Sequence, residues 1–178
     1  AWESALPALD RPGLKLALSE IARRAPENLR AILYYGKVET SRLVGRAWAE
    51  DEPRAAFALF KEMFESGPPG RRQMAIELIS HLPQEAAGPY LYELLQNERA
   101  PELRLAILKS LAGAGIPVIS TFLGIVADPG EADNVRAYAA EALSTFDLQE
   151  LQSDRIAQEI IRISRMPVPE PVKRRMAG

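Results

Sequence analysis

No cysteine occurs in the 178 residues, so disulfides, thiolate metal sites and thiol chemistry are all excluded. Histidine is almost missing as well. His81 stands alone, and a single imidazole cannot build a histidine-rich metal site or form a dyad without an identifiable partner. No apolar run approaches the roughly 18 residues that a membrane-spanning helix requires. No glycine-rich phosphate loop is present. Gly67-Pro68-Pro69-Gly70 and Gly113-Ala114-Gly115 read as turns between helices. Excess charge is lacking too: 22 Lys and Arg stand against 24 Asp and Glu, a formal net charge of -2. A near-neutral chain has no global reason to seek a phosphate backbone. Valine and threonine are few, which disfavours sheet.

What is abundant is alanine and leucine, the residues that favour helix. Apolar residues make up 47% of the chain, enough for one domain with a sizeable core. Apolar positions recur at spacings of three and four, as in Phe57, Phe60 and Phe64. The spacing predicts helices over 12–24, 26–35, 39–50, 53–66, 71–82, 86–97, 101–113, 116–128, 132–146 and 148–164. Leu14, Leu18 and Ile21 face inward from the first, and Leu29, Ile32 and Leu33 from the second. Leu43, Ala47 and Trp48 are the apolar positions of the third. Pro26 and Pro53 open helices, Gly88-Pro89 falls in a first turn, and Gly36 is a C-terminal stop. Residues 1–11 read as a lead-in or cap and 12–165 as the helical domain. Residues 166–178, with Met-Pro-Val-Pro-Glu-Pro-Val and Lys173-Arg174-Arg175, read as a flexible Pro-rich basic tail. The chain opens on Ala1-Trp2-Glu3 without an initiator Met, which leaves an upstream signal or anchor open.

A fixed step links the helices. Arg42, Arg72, Arg104 and Arg136 are spaced 30, 32 and 32 residues apart. Three positions later stand Gly45, Ala75, Ile107 and Ala139; seven later stand Ala49, Ile79, Leu111 and Leu143. Those offsets share one helical face. The partner helices align at the same step: Tyr90, Leu91 and Leu94 match Phe122, Leu123 and Val126. Recurrence of this kind marks a stacked repeat array. The run Pro117, Leu123, Asp128, Val135-Arg136, Ala139, Leu143 resembles the HEAT repeat, an antiparallel helix pair. The resemblance extends over about residues 39–165, and over the first 38 by analogy. The copy at 89–111 departs from the pattern, with Asn97 or Glu98 where Asp stands in the family.

The resemblance implies an all-α fold: a short right-handed α-solenoid of antiparallel helix pairs. It implies that Asp128 and Arg136 hydrogen-bond across neighbouring loops, with Arg42, Arg72 and Arg104 in the same structural ladder. It also implies that the arginine-bearing helices line a concave side. The polar positions flanking their buried stripe, Arg46, Gln73, Glu77, Lys109 and Glu141, are then the candidate partner contacts.

Other features have plainer readings. His81 sits at a helix end, where a cationic ring meets the favourable end of the helix dipole. Glu62, Glu65, Glu77, Glu85 and Glu93 read as solvated helix surface rather than a catalytic pair. Neighbouring tyrosines on a helix point in different directions, so one of Tyr34/Tyr35 and one of Tyr90/Tyr92 should reach the surface as an edge or anchor. Arg23-Arg24 and Arg71-Arg72 are interleaved with carboxylates, which disfavours a nucleic-acid groove.

The expected function is a non-catalytic scaffold for a protein or peptide partner, with no cofactor, no metal and no nucleic acid, in the cytoplasm. Alternatives implied by the same family are a phycobilin-lyase-like enzyme and a nucleic-acid-binding protein of the alkylpurine glycosylase kind; the missing start adds a third, a soluble module of a membrane-anchored protein.

Overall fold

The computed structural model describes residues 5–113 and 119–145. The expected helix over 148–164, Pro117, Trp2 and the tail from 166 onward lie outside the described residues. Within them the chain is all-α. A 3-10 turn at Leu6–Ala8 is followed by nine helices: α1 Arg11–Arg24, α2 Pro26–Tyr35, α3 Val38–Asp51, α4 Pro53–Ser66, α5 Pro69–Ile79, α6 Gln84–Asn97, α7 Pro101–Gly113, α8 Ile119–Ala127 and α9 Asp133–Leu143. No strand occurs among the described residues.

Local chemistry sets the boundaries. Asp10 caps α1 by accepting from the Gly13 amide at 2.9 Å. Pro26, Pro53, Pro69 and Pro101 each occupy the first position of a helix, where no intrahelical N–H is needed. Two boundaries differ from the expected ones. The break at Gly67-Pro68-Pro69-Gly70 is confined to Gly67 and Pro68, because Pro69 serves as the first helical residue of α5. That helix stops at Ile79, where the Ser80 amide and hydroxyl turn back on Glu77. Likewise α6 starts at Gln84, so Pro89 lies inside the helix rather than in its first turn.

Two compact units divide the chain, Ala1–Leu94 and Leu95–Gly178. In the first, α1 packs on α2 and α3, and α3 packs on α2, α4 and α5. Leu6 of the 3-10 turn is fully buried, and the turn packs on α1 and α3. Arg30 of α2 meets Glu62 of α4 at 2.7 Å, and Phe57 of α4 stands edge-on to Tyr90 of α6 at 5.4 Å. In the second unit, α9 packs on α7 and α8, with Phe122 against Tyr138 at 6.5 Å. Burial of side chains such as Phe60, Met63, Ile76, Ile107 and Phe122 drives the packing, at about 1.5–3 kcal/mol each.

A recurring bond closes the helix pairs. The fourth residue of α5 is Arg72, whose Nε donates to the Phe64 carbonyl in the last turn of α4 at 3.0 Å. The fourth residue of α7 is Arg104, which donates to the carbonyls of Leu95 and Glu98. The fourth residue of α9 is Arg136, which donates to Val126 O near the end of α8 at 3.0 and 3.2 Å. Helix ends leave carbonyls without intrahelical donors, and a guanidinium supplies several at once.

In α3 the fourth residue is Ser41, not Arg42. Its hydroxyl donates to Ile32 O at 2.7 Å. Serine is short, and Arg71 of α5 completes that helix end by donating to Leu33 O and Gly36 O. The structure therefore corrects the register: Ser41, Arg72, Arg104 and Arg136 step by 31, 32 and 32 residues. Three positions on, Val44, Ala75, Ile107 and Ala139 are all fully buried. Leu43, one of the apolar positions of α3, is 38% exposed because Val44 takes the core position. Gly45 has a different role. A Cβ there would come within 2.5 Å of Leu78 Cδ1, so its bareness sets the approach of α3 to α5.

The Asp–Arg ladder also takes another form. Asp128 is exposed and accepts from the Gly130 amide at 2.8 Å, within its own loop. Glu98 does the equivalent in the loop after α6, accepting from Ala100 N at 2.9 Å. Arg136 finds its acceptor in Val126 O, with Asp133 at 3.9 Å. The acidic loop residue closes a turn, and the arginine satisfies carbonyls.

Candidate functional site

Three of the five expected partner contacts belong to the first unit. Glu77 on α5 accepts from Arg46 Nη2 at 2.6 Å and from Arg42 Nε at 2.9 Å, which ties α3 to α5. Partial burial pushes the Glu77 carboxyl up, but the Arg46 hydrogen bond and the Arg42 charge outweigh it, and its pKa falls below the ordinary value. Gln73 lies one helical turn before Glu77. With Arg42 it borders a shallow hollow of about 270 Å³ between Val38 and Met74. His81 corrects an expectation. Partial burial and the nearby Arg46 guanidinium lower its pKa, more than Glu77 and Glu50 raise it. The ring is thus held towards neutrality rather than favoured as a cation.

Lys109 and Glu141 belong to the second unit. Lys109 of α7 sits over the Tyr138 ring of α9, with Nζ 5.7 Å from its centroid. Glu141 is an exposed residue of α9. Of the tyrosine pairs, Tyr35 reaches the surface at 84% exposure, while Tyr34 is half-buried. Burial and then the Glu62 carboxylate push Tyr34 up to about 12.

A larger hollow of the first unit lies elsewhere. A groove of about 1000 Å³ runs between α1, α2 and α4, with the end of α3 at its base. Its apolar lining is Ala22, Leu29, Trp48, Ala55, Ala58 and Leu59. Leu29, Trp48 and Leu59 are buried, while Ala55 and Ala58 are exposed. A methyl at those two positions on α4 is too short to fill the space, which is why a groove exists. Trp48 is held by an edge-on contact with Phe60, ring centroids 6.4 Å apart. Its indole N–H is buried and meets no acceptor among the described residues.

Charged side chains frame the groove: Arg23, Glu27, Arg30, Glu52 and Glu62. Arg30 pairs with Glu62 at 2.7 Å, and Arg23 with Glu20 at 2.9 Å. Among the described residues the side chains of Glu27 and Glu52 have no such partner. The sequence marks Trp48 as an apolar position of its helix but does not reveal this groove. The usable signal was the pair of exposed alanines on α4 beside that tryptophan.

Among the described residues no cluster of three or more His, Asp or Glu side chains is arranged to hold a metal ion. None of the described helices is long and apolar enough to cross a membrane. No protein-family model matches the chain, and no curated protein or solved structure matches it.

Proposed function

We propose that this chain is a non-catalytic binding module of HEAT-like helix pairs that receives a polypeptide partner. Support for the repeat reading comes from the fourth-residue donor, which recurs every 31 or 32 residues and closes each helix pair on itself. The packing of α1 on α3 and of α3 on α5 in the first unit supports a stacking of pairs, none of which could bury its apolar stripe alone.

The groove carries the functional reading. At about 1000 Å³ it stands at the top of the range of ordinary ligand pockets, and it is open along α2 and α4 rather than enclosing. That shape suits side chains projecting from a longer polypeptide. The polar positions on α3 and α5 are the poorer seat. Arg42, Arg46 and Glu77 already satisfy one another, and a partner would have to replace those bonds before gaining any.

Photo-crosslinking tests this. A benzoylphenylalanine introduced at Ala55 should yield polypeptide adducts on irradiation in native extract. The same group at Gln73 should yield few. Adducts at Gln73 with none at Ala55 would move the binding surface to α3 and α5, and none at either would remove the reading.

A further inference from the structure

We infer that the segment seated in the groove is basic, with an apolar side chain over Leu59 and Trp48 and Lys or Arg side chains reaching Glu27 and Glu52. This rests on the groove being a polypeptide seat, and goes on to name the chemistry of what sits there.

The groove itself makes the site; the rim selects its occupant. Its two guanidinium groups are engaged, Arg30 by Glu62 and Arg23 by Glu20, which also pairs with Arg24. Asp51, at the end of α3, is held by Lys15 and Ser19. Among the described residues, the open charges left on the rim are the carboxylates of Glu27 and Glu52. Neither side chain makes a hydrogen bond or ion pair with another described residue. Glu27 lies in the first turn of α2, and Glu52 precedes α4 without its side chain capping that helix. An acidic segment would face two unneutralised carboxylates and find both arginines occupied. A basic one finds two free counter-charges, and long Lys or Arg stems can lie along the methyl groups of Ala55 and Ala58 while their heads stay at the rim. Like-charge opposition of this kind selects among partners more than it adds affinity.

The test uses the whole chain and two fluorescein-labelled nonapeptide pools. Both are randomised except for a central Leu; one carries Lys on either side of it and the other Glu. Anisotropy should show the Lys pool binding at least about tenfold more tightly than the Glu pool at low salt, with the gap narrowing as salt rises. In the double variant Glu27→Gln, Glu52→Gln, the preference should shrink to about twofold or less while the Leu-dependent binding persists. Ala58→Trp, a change at an exposed position, should abolish binding of both pools by filling the groove. Circular dichroism confirms that each variant is folded.

Equal binding of the two pools, or a Lys preference untouched by the Gln variant, overturns the basic-segment inference. If Ala58→Trp still abolishes that equal binding, the groove stands as a peptide seat and only the partner's charge was misjudged. Binding of neither pool overturns the inference, and the Ala55 adducts then decide whether the binding-module reading goes with it.

Discussion

Arg136 donates from both Nε and Nη2 to one oxygen, the carbonyl of Val126, at 3.2 and 3.0 Å. Arg136 as a whole is 5% exposed. Its charge is screened little by water, and the acceptor has no substitute donor nearby in the chain's own helix. Arg136→Ala should therefore lower stability by about 2–3 kcal/mol. Arg136→Lys should recover less than half, since an ammonium cannot present two fixed donors to one carbonyl. Arg42→Ala should cost only about 0–1 kcal/mol, because its pair with Glu77 is largely exposed. Urea unfolding followed by circular dichroism measures all three. Equal losses at Arg42 and Arg136 would contradict the corrected register.

The buried pair in the second unit behaves differently. Arg104 and Glu131 are 13% and 6% exposed, joined by a bond from Arg104 Nε at 2.9 Å and a second from Nη2. Glu131→Ala would leave a buried guanidinium charge without its counter-ion, for a loss of about 3–5 kcal/mol. Adding Arg104→Met should restore much of that loss. A double variant no more stable than Glu131→Ala would mean that the carbonyl bonds of Arg104, rather than its charge balance, dominate.

Glycines should divide by their surroundings. Gly45→Ala should destabilise by about 1–3 kcal/mol, since the new methyl meets fully buried Leu78 at 2.5 and 2.7 Å. Gly124, in the middle of α8, has open space where a Cβ would go. Gly124→Ala should stabilise by about 0.5–1 kcal/mol through helix propensity. A double-mutant cycle of Gly45→Ala with Leu78→Ala should be non-additive by about 1 kcal/mol or more, as expected for residues sharing one space.

Acid should weaken the fold in two stages. His81 has a folded pKa below its ordinary 6.5, so the unfolded chain takes up that proton first as pH falls. Its contribution is intact above 6.5 and is lost as pH drops through the lowered folded value. Glu77 and Asp51 are also lowered, from 4.5 and 3.8, so their contributions disappear further down. Urea midpoints should fall between about pH 7.5 and about pH 5.5, and His81→Gln should flatten that segment alone. An unchanged slope in the variant would assign the first stage to another group.

Much of the fold was legible because it is local. A period of three and four residues, with proline at helix starts and glycine at stops, places α1 to α4 within a residue or two. The core positions of the partner helices, Leu91, Leu94, Phe122 and Val126, follow from the same pattern. The arginine register was read one residue out in α3, because Arg42 sits beside Ser41 and residue type alone favoured the arginine. Nothing in a string of letters says that a serine close to a carbonyl can do what a guanidinium does elsewhere. The groove was illegible for a different reason. It arises where Ala22, Leu29, Trp48 and Ala58 from four helices fail to fill a space, and absent volume has no residue to announce it.

The fourth-residue donors have a consequence for how such a chain is inherited. Donor and acceptor lie 8 to 10 residues apart, on either side of a single loop. A gene segment of about 32 codons, cut anywhere outside that loop, therefore carries its own fastener. Its loss would leave the fasteners of the other segments whole and cut only the bonds that run between segments, such as those from Arg71 to Leu33 O and Gly36 O and from Arg104 to Glu131.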